Sequence, residues 1–500
     1  MSDQNPDKFG NWLQPSSPGL FGLSLGALVV TGVGLMFAII FMMAQSVGGM
    51  LVVLLLTALV VVFGFIRFGG QTLIGRMGDA RSHAARRAAG STQYVTGMLS
   101  TLPPEYAERL PGVLLDMEPV SGTDGLDRPY SLLHHKAVGQ LAAVFGCAPD
   151  GSAMQDQSVV NAQVANYGAW IASLSVEDGL TGAVVVVDSA SASSAGMVQA
   201  IHDSTSPAAP AFAKEVLRAA TATLPARTSA VNVYSTLVYD VAALGGTRDD
   251  LGPAVAEIAA RMPAQTAALA AAGGGAVAPM VESELADVAA LAYRPTRDQE
   301  MALDALAGMK PTRSLAKAGP GFFDDTDNRV VFHDGVASMS VMMTVPPNAQ
   351  ITARSFDRLL GPNAKFLRKR VAIFYRPVDP GTGAKTVDRQ VKNAQWRMDT
   401  RRSRPTSFDR KAKAVAEKTE NELAEGARLS MFSIMVTVTF EPTQKAYRDA
   451  LNQVKQLMNT LLMEYRFVEH AGAAAFHLTL PYGVLPWKYS LKPLWMEGAV

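Results

Sequence analysis

Apolar and polar positions divide this chain into three regimes. Leu20 to Met43 carries no charge and only Ser24 and Thr31 as hydroxyl-bearing positions; after Ala44-Gln45-Ser46-Val47-Gly48-Gly49 a second uncharged run extends from Met50 to Ile66. At ~1.5 Å rise per residue the first run exceeds a hydrocarbon core of ~30 Å, and the second reaches it once Val47 to Gly49 join the helix. The pattern predicts a two-helix transmembrane hairpin over 19–67 behind a polar tail, 1–18. Arg67, Arg76, Arg81, Arg86 and Arg87 follow the second run while the connector carries no charge. Basic flanks stay on the cytoplasmic side, so the expectation is a two-pass cell-membrane protein with both termini cytoplasmic. A cleaved signal peptide needs a basic start and a short apolar stretch, whereas Asp3, Asp7 and Lys8 precede a much longer run. Gly22 and Gly26 form a small-xxx-small pair, extended by Gly32 and Gly34, suited to packing within the hairpin or on a partner subunit.

The second regime alternates strand and helix periods. Gln71 to Leu102 reads as a helical linker (68–104) ending at Pro103-Pro104. In 105–294, strand-like runs are Gly112–Met117, Ala137–Phe145, Gly182–Val187 and Ala230–Val238; helix-like runs are Asp156–Ser175, Ala209–Leu224, Leu251–Ala272 and Ser283–Tyr293. Val160, Val164, Tyr167 and Ile171 recur at helical spacing and declare a core face. The fold class is α/β (α+β), helices laid on a sheet. Gly273-Gly274-Gly275 reads as a turn, because no Lys-Ser or Lys-Thr follows to make a phosphate loop.

A Pro-bearing connector, 295–327, leads to a second domain, 328–490, and a tail, 491–500. Val330–His333 and Ser338–Val345 form a hairpin turning at Asp334-Gly335. Lys365–Arg376 and Met431–Phe440 read as strands, Val387–Leu423 as a long helical insert (384–423) broken at Pro405, and Tyr447–Met463 as an amphipathic helix. Phe467-Val468 and Ala475–Leu480 read as closing strands. The order suits a ferredoxin-like split β-α-β.

Charge changes this picture in one region. The chain has 45 Lys/Arg and 44 Asp/Glu, a net +1, yet Lys365 to Lys418 holds 16 basic against 5 acidic residues. Candidate contacts to a partner, to acidic lipid or to nucleic acid are Arg368, Lys369 and Arg370 before the strand, and Arg397, Arg401, Arg402, Arg404, Arg410, Lys411 and Lys413 in the insert. Only Trp396 and Phe408 interleave them, too few for a single-strand stacking platform.

Candidate chemistry is sparse. No Gly-Lys dipeptide occurs, so there is no P-loop; the seven histidines show no i,i+4 pair; Gly22-Leu23-Ser24-Leu25-Gly26 fits a nucleophile-elbow pattern but inside an apolar run. The single cysteine, Cys147, excludes an intramolecular disulfide and ends the apolar run Leu141–Gly146, which suits a small buried hydrophobe. No catalytic, cofactor-binding or metal-ligating set is expected.

The stretch from about Val330 to Trp487 resembles the N-terminal, non-motor half of the assembly ATPases of conjugative type IV secretion systems. The resemblance is carried by Lys365–Pro377 with its Tyr375-Arg376-Pro377 ending, the charged helical insert, the strand Met431–Phe440 with its following helix, and Phe476-His477-Leu478-Thr479-Leu480-Pro481-Tyr482-Gly483. The opening hairpin resembles the small two-span inner-membrane subunit often fused ahead of that ATPase in actinobacterial conjugative elements. The resemblance implies a non-enzymatic inner-membrane scaffold for DNA transfer that docks a separate motor ATPase and other secretion subunits and can self-associate. The sequence ends at Val500, where the motor would start, so ATP hydrolysis is not carried over. A component of an actinobacterial type VII secretion system, or an envelope enzyme with a dispersed site, fits the same patterns.

Overall fold

The computed structural model describes residues 25–489 apart from 66, 69–70, 98–99, 101–102, 104–105, 107, 150, 152–154, 194, 224–226, 308–312, 348–351 and 401–406. The predicted tails, and Leu20–Ser24 of the first apolar run with Gly22, lie outside these residues.

Two apolar helices come first, α1 (Leu25–Met43) and α2 (Val47–Phe65). They pack side by side, and a side chain at Gly34 would collide with Thr57, so part of the predicted thin side lies against α2. Gly26 falls within α1. Among the described residues one helix segment, Val47–Gly64, is long and apolar enough to cross a membrane; α1 contributes the shorter apolar stretch Val29–Met43. A ribbon, β1 (Arg67–Phe68) with β2 (Gln71–Thr72), leads to α3 (Leu73–Ala88). The Thr72 hydroxyl caps α3 by accepting from the Gly75 amide at 3.1 Å, and Arg86 and Arg87 sit in its last turn, where cations complement the helix dipole. The helical linker is shorter than predicted, because Gln93–Val95 (β3) joins a sheet.

The next strands and helices are β4 (Met117–Thr123), β5 (Pro129–His135), β6 (Gln140–Ala148), α4 (Gln157–Ser173), β7 (Leu180–Ser193), α5 (Ala195–Ser204), α6 (Ala211–Thr223) and β8 (Arg227–Asp240). Then come α7 (Gly252–Leu269), β9 (Ala276–Pro279), α8 (Glu282–Tyr293), α9 (Asp298–Leu306), β10 (Phe322–Asp324), β11 (Val330–His333) and β12 (Val336–Val345). The chain continues through α10 (Asp357–Leu360), β13 (Arg368–Pro377), α11 (Pro380–Thr400), α12 (Ser407–Ala424), β14 (Ser430–Phe440), α13 (Gln444–Thr460), β15 (Glu464–Phe467), α14 (Gly472–Leu478) and α15 (Pro486–Tyr489). The predicted hairpin at Asp334-Gly335 is present, pairing His333 with Val336. Two expectations fail. Gly112–Leu114 is a 3-10 turn, with the strand beginning only at Met117, and Ala475–Leu480 lies largely in α14 rather than in a strand. Gly472-Ala-Ala-Ala-Phe favours helix, and the turn it makes buries Phe476 and His477 beneath the sheet.

One sheet of 13 strands runs in the order β3-β10-β11-β12-β14-β13-β7-β8-β6-β5-β4, with β15 also on β12 and β9 also on β6. Every ladder between strands is antiparallel, so the fold is mixed helix and antiparallel sheet. The predicted domains meet without a gap, because β13 pairs with β7 from Arg368↔Ala190 to Tyr375↔Ala183. Alternation in Val184-Val185-Val186-Val187 sends Val184 and Val186 to one face and Val185 to the other. The first face is a single core: Leu133, Val144, Val184, Val186, Phe374 and Met435 pack with Leu285 and Val288 of α8, Phe476 of α14 and the closing segment Leu480–Leu485. Leu315 and Ala318, from the predicted connector, belong to that core. The opposite face carries two clusters, one under α4 and α7 (Trp170, Leu174, Ile258, Met262) and one under α13 (Val454, Leu457, Met458).

Val345, Pro377, Ser430, Leu180 and Asp240 share one end of the sheet, the near end; Val336, Arg368, Phe440, Ser193 and Arg227 share the far end.

Candidate interaction surface

The basic insert is a helical arm. Pro377 and Ser430, cross-strand partners at the near end, are its two roots. The Asp379 carboxylate accepts from the Thr382 amide at 3.0 Å and starts α11, and α12 returns antiparallel against it. Val387, Ala394 and Ala416 are buried, while the outer surface is laced by i,i+4 pairs: Lys392 with Asp388 at 2.7 Å, Lys413 with Glu417 at 3.5 Å, Lys418 with Glu422 at 3.4 Å. Arg410 and Lys411 are exposed, Lys413 is half-buried, and Trp396 is 61% exposed. Arg397 lies on α11; Arg401, Arg402 and Arg404 fall outside the described residues.

Arg368, Lys369 and Arg370, expected on the same surface, are buried instead, none more than 3% exposed. The physical reason is strand pairing: β13 lies between β14 and β7, so its first residues are central rather than peripheral. Arg368 grips Asp188 of β7 through Nε at 2.8 Å and Nη2 at 2.7 Å, and its Nη1 donates to the Leu291 carbonyl at 3.3 Å. Burial alone would lower the Arg368 guanidinium, but the Asp188 carboxylate outweighs it and raises it. Lys369 donates from Nζ to the Gly361 carbonyl, and burial brings it down to about 8. Arg370 has no hydrogen-bond partner on either Nη; its guanidinium stacks 4.2 Å over the Phe476 ring, and burial lowers it to about 10. These three cations are built into the core and cannot meet a nucleic acid or a partner.

A neutral polar network surrounds them. His333 donates from Nδ1 to the Tyr293 carbonyl at 2.6 Å and accepts at Nε2 from Ser338 Oγ at 2.8 Å, which meets Thr439 Oγ1 at 2.8 Å. Tyr293 Oη and His477 Nε2 are hydrogen-bonded at 2.9 Å. Burial pulls His333 and His477 down to about 3 and His135 to about 4, so all three are neutral at pH 7.

The joint between α3 and the sheet is the second polar cluster. His83 Nε2 donates to the Asp325 carbonyl at 2.8 Å, Arg86 Nη2 donates to the His470 carbonyl at 2.7 Å, and Arg86 Nη1 lies 3.8 Å from Asp325 Oδ2. Burial raises the Asp325 carboxyl to about 6 against the opposing Ala473 amide and Arg86. Nearer the start of α3, Asp79 and Arg76 act in opposite senses on Arg466 of β15, which burial lowers.

A cavity of about 360 Å³ lies between α4, the turn after α7 and Arg354; Gln155, Gln163 and Tyr167 supply its polar wall. Its glycines are a turn, as expected: Gly275 (φ 65°) bridges Ala148, and a side chain there would overlap the Ala148 carbonyl. Tyr167 Oη meets Tyr375 Oη at 2.9 Å and burial raises Tyr167 well above its ordinary value, so the wall offers no base. Among the described residues no group of three His, Cys, Asp or Glu side chains is placed to hold a metal ion. Cys147 is half-buried and burial pushes its thiol up to about 11, which disfavours the nucleophilic thiolate.

At the far end, β7 and β8 run on past the β13 and β6 ladders as a two-stranded ribbon carrying α5 and α6. Phe212 of α6 is 80% exposed, and Val216 one turn on and its neighbour Leu217 are exposed as well. The helical spacing of Val216, Leu217, Ala220 and Leu224 predicts a core face here, but Val216, Leu217 and Ala220 are exposed, because α6 sits on the projecting ribbon rather than on the sheet, and Leu224 lies outside the described residues.

No family model and no curated protein matches the chain.

Proposed function

We propose that the chain is a non-enzymatic, membrane-anchored scaffold of a conjugative type IV secretion apparatus, which holds a separate motor ATPase and neighbouring subunits beneath the membrane. In this reading α1 and α2 cross the bilayer as a two-pass pair with both termini cytoplasmic, and the second half of the sheet is the ferredoxin-like counterpart of the non-motor half of the assembly ATPase. One observation carries it: the apolar window Val47–Gly64 has no buried residue, so most of its apolar surface stays open beyond what α1 covers, and α2 is tied through α3 to a large sheet. The exposed apolar side of α6, at the opposite end of the body, supports contact with a second protein.

The test is co-purification of the full chain in mild detergent from its native host. The expected result is retention in membranes after alkaline carbonate washing and recovery of a P-loop ATPase. The triple change Phe212→Ser, Val216→Ser, Leu217→Ser should keep the chain in membranes and cut ATPase recovery at least ~10-fold, the loss of buried apolar contacts worth ~1.4 kcal/mol or more. Release by carbonate, undiminished ATPase recovery with the triple variant, or no ATPase in either preparation would sink the reading.

A further inference from the structure

We propose that the α11–α12 arm is a membrane-contact element that rests on an anionic phospholipid surface; the inference depends on α2 being a membrane span. Placement is the first argument. The arm is rooted at Pro377 and Ser430, at the near end of the sheet. Helix α3 runs along the sheet edge with Arg76 and Asp79 beside Arg466, toward the near end, and His83 and Arg86 farther along at Asp325 and His470. Followed backward it leaves past the near end to Ile74, which lies against Gly64 of α2. The arm and the apolar helix therefore share one end of the body.

Charge is the second argument. From Arg397 to Lys413 the sequence has seven basic and two acidic residues, whereas Glu417, Glu420, Glu422 and Glu425 gather toward the root. Among the described residues Arg410 and Lys411 are exposed and precede that acidic run along α12, farther from the root at Ser430. Each basic residue close to an anionic bilayer adds attraction. The 21 residues of α11 give the arm a reach of roughly 30 Å, several Debye lengths, so it can bring that charge to the headgroups. Trp396 is the third argument: a largely exposed indole beside the basic stretch is the side chain that favours the headgroup level. Nucleic acid would meet the same charge, but one indole offers no succession of stacking faces, and the arm stands on the lipid side of the body.

The test uses the full chain carrying Cys147→Ser and Trp396→Cys, labelled with an environment-sensitive fluorophore and reconstituted into nanodiscs. Discs of phosphatidylcholine alone are compared with discs also containing phosphatidylglycerol. Emission should shift to the blue only in the anionic discs, should return on adding salt, and should fall at least ~10-fold in the population shifted when Arg410→Glu and Lys411→Glu are added. Circular dichroism of that variant checks that the arm remains helical. Equal emission in both discs with the chain inserted overturns the inference while leaving the anchor intact. So does a shift produced by duplex DNA in neutral discs. A chain that does not enter discs at all overturns both the anchor and the inference.

Discussion

Arg370 and Asp188 stand opposite each other across β13 and β7, yet Asp188 gives its carboxylate to Arg368, two positions along the same strand. The core therefore holds two cations and one anion here, the surplus charge resting on the Phe476 ring. Removing a partner from a buried pair strands the other charge, so Asp188→Ala should cost about 3–5 kcal/mol in urea unfolding of the detergent-solubilised chain. Arg370→Met, which replaces the surplus guanidinium by an apolar chain of similar length, should match or exceed the parent's stability. Histidines set the pH response. Burial holds His333 and His477 near 3 and His135 near 4, below the ~6.5 of an unfolded chain. The unfolded state then binds protons that the native state refuses, so their contribution is complete above ~6.5 and is lost as pH falls. Asp325, raised to about 6, works the other way, gaining stability as pH drops through that value. Three histidines outweigh one carboxyl, and the unfolding free energy should drop between pH 7 and 5 by roughly 2 kcal/mol per histidine, a slope that His477→Gln makes shallower. None of this was legible in the sequence. Arg368-Lys369-Arg370 reads as surface charge until Asp188, 180 positions earlier, is known to lie beside it.

Elements defined by their own residues were legible. Asp334-Gly335 announces its turn, and the arm follows from helical periodicity on both sides of Pro405, since local chemistry decides both. Elements decided by tertiary partners were not. Pro129–His135 lacks a clean alternation because both its faces are covered, and Ala475–Leu480 reads as apolar strand although most of it lies in the helix Gly472–Leu478. The glycine turn after α7 was recognised, and its reason is steric. Gly275→Ala should lower stability by ~2 kcal/mol or more, because it adds a Cβ against the Ala148 carbonyl at a left-handed backbone position; a thermal melt of the variant measures it. Gly335→Ala, left-handed but in open space, should cost less than Gly275→Ala in the same measurement.

For the molecule as a whole, the predicted boundary at 295–327 falls in a segment that lends Leu315 and Ala318 to a core shared by both halves. Sequence composition marked the prolines there correctly but could not show that β13 closes onto β7 across the same interval. The body should therefore unfold in one calorimetric transition. A fragment of residues 105–294 should be insoluble, since it leaves the β7 edge from Ala183 to Ala190 unpaired and its apolar face uncovered. A soluble, separately melting fragment would show two independent units instead.

The long ribbon of β7 and β8 joins the cap that bears Phe212, at the far end of the sheet, to the near end. A pull or push delivered to that cap would load the ladders lengthwise, straining many backbone bonds together rather than peeling them singly. The long paired ribbon thus makes the body most resistant to force along the strands, in shear rather than in peeling.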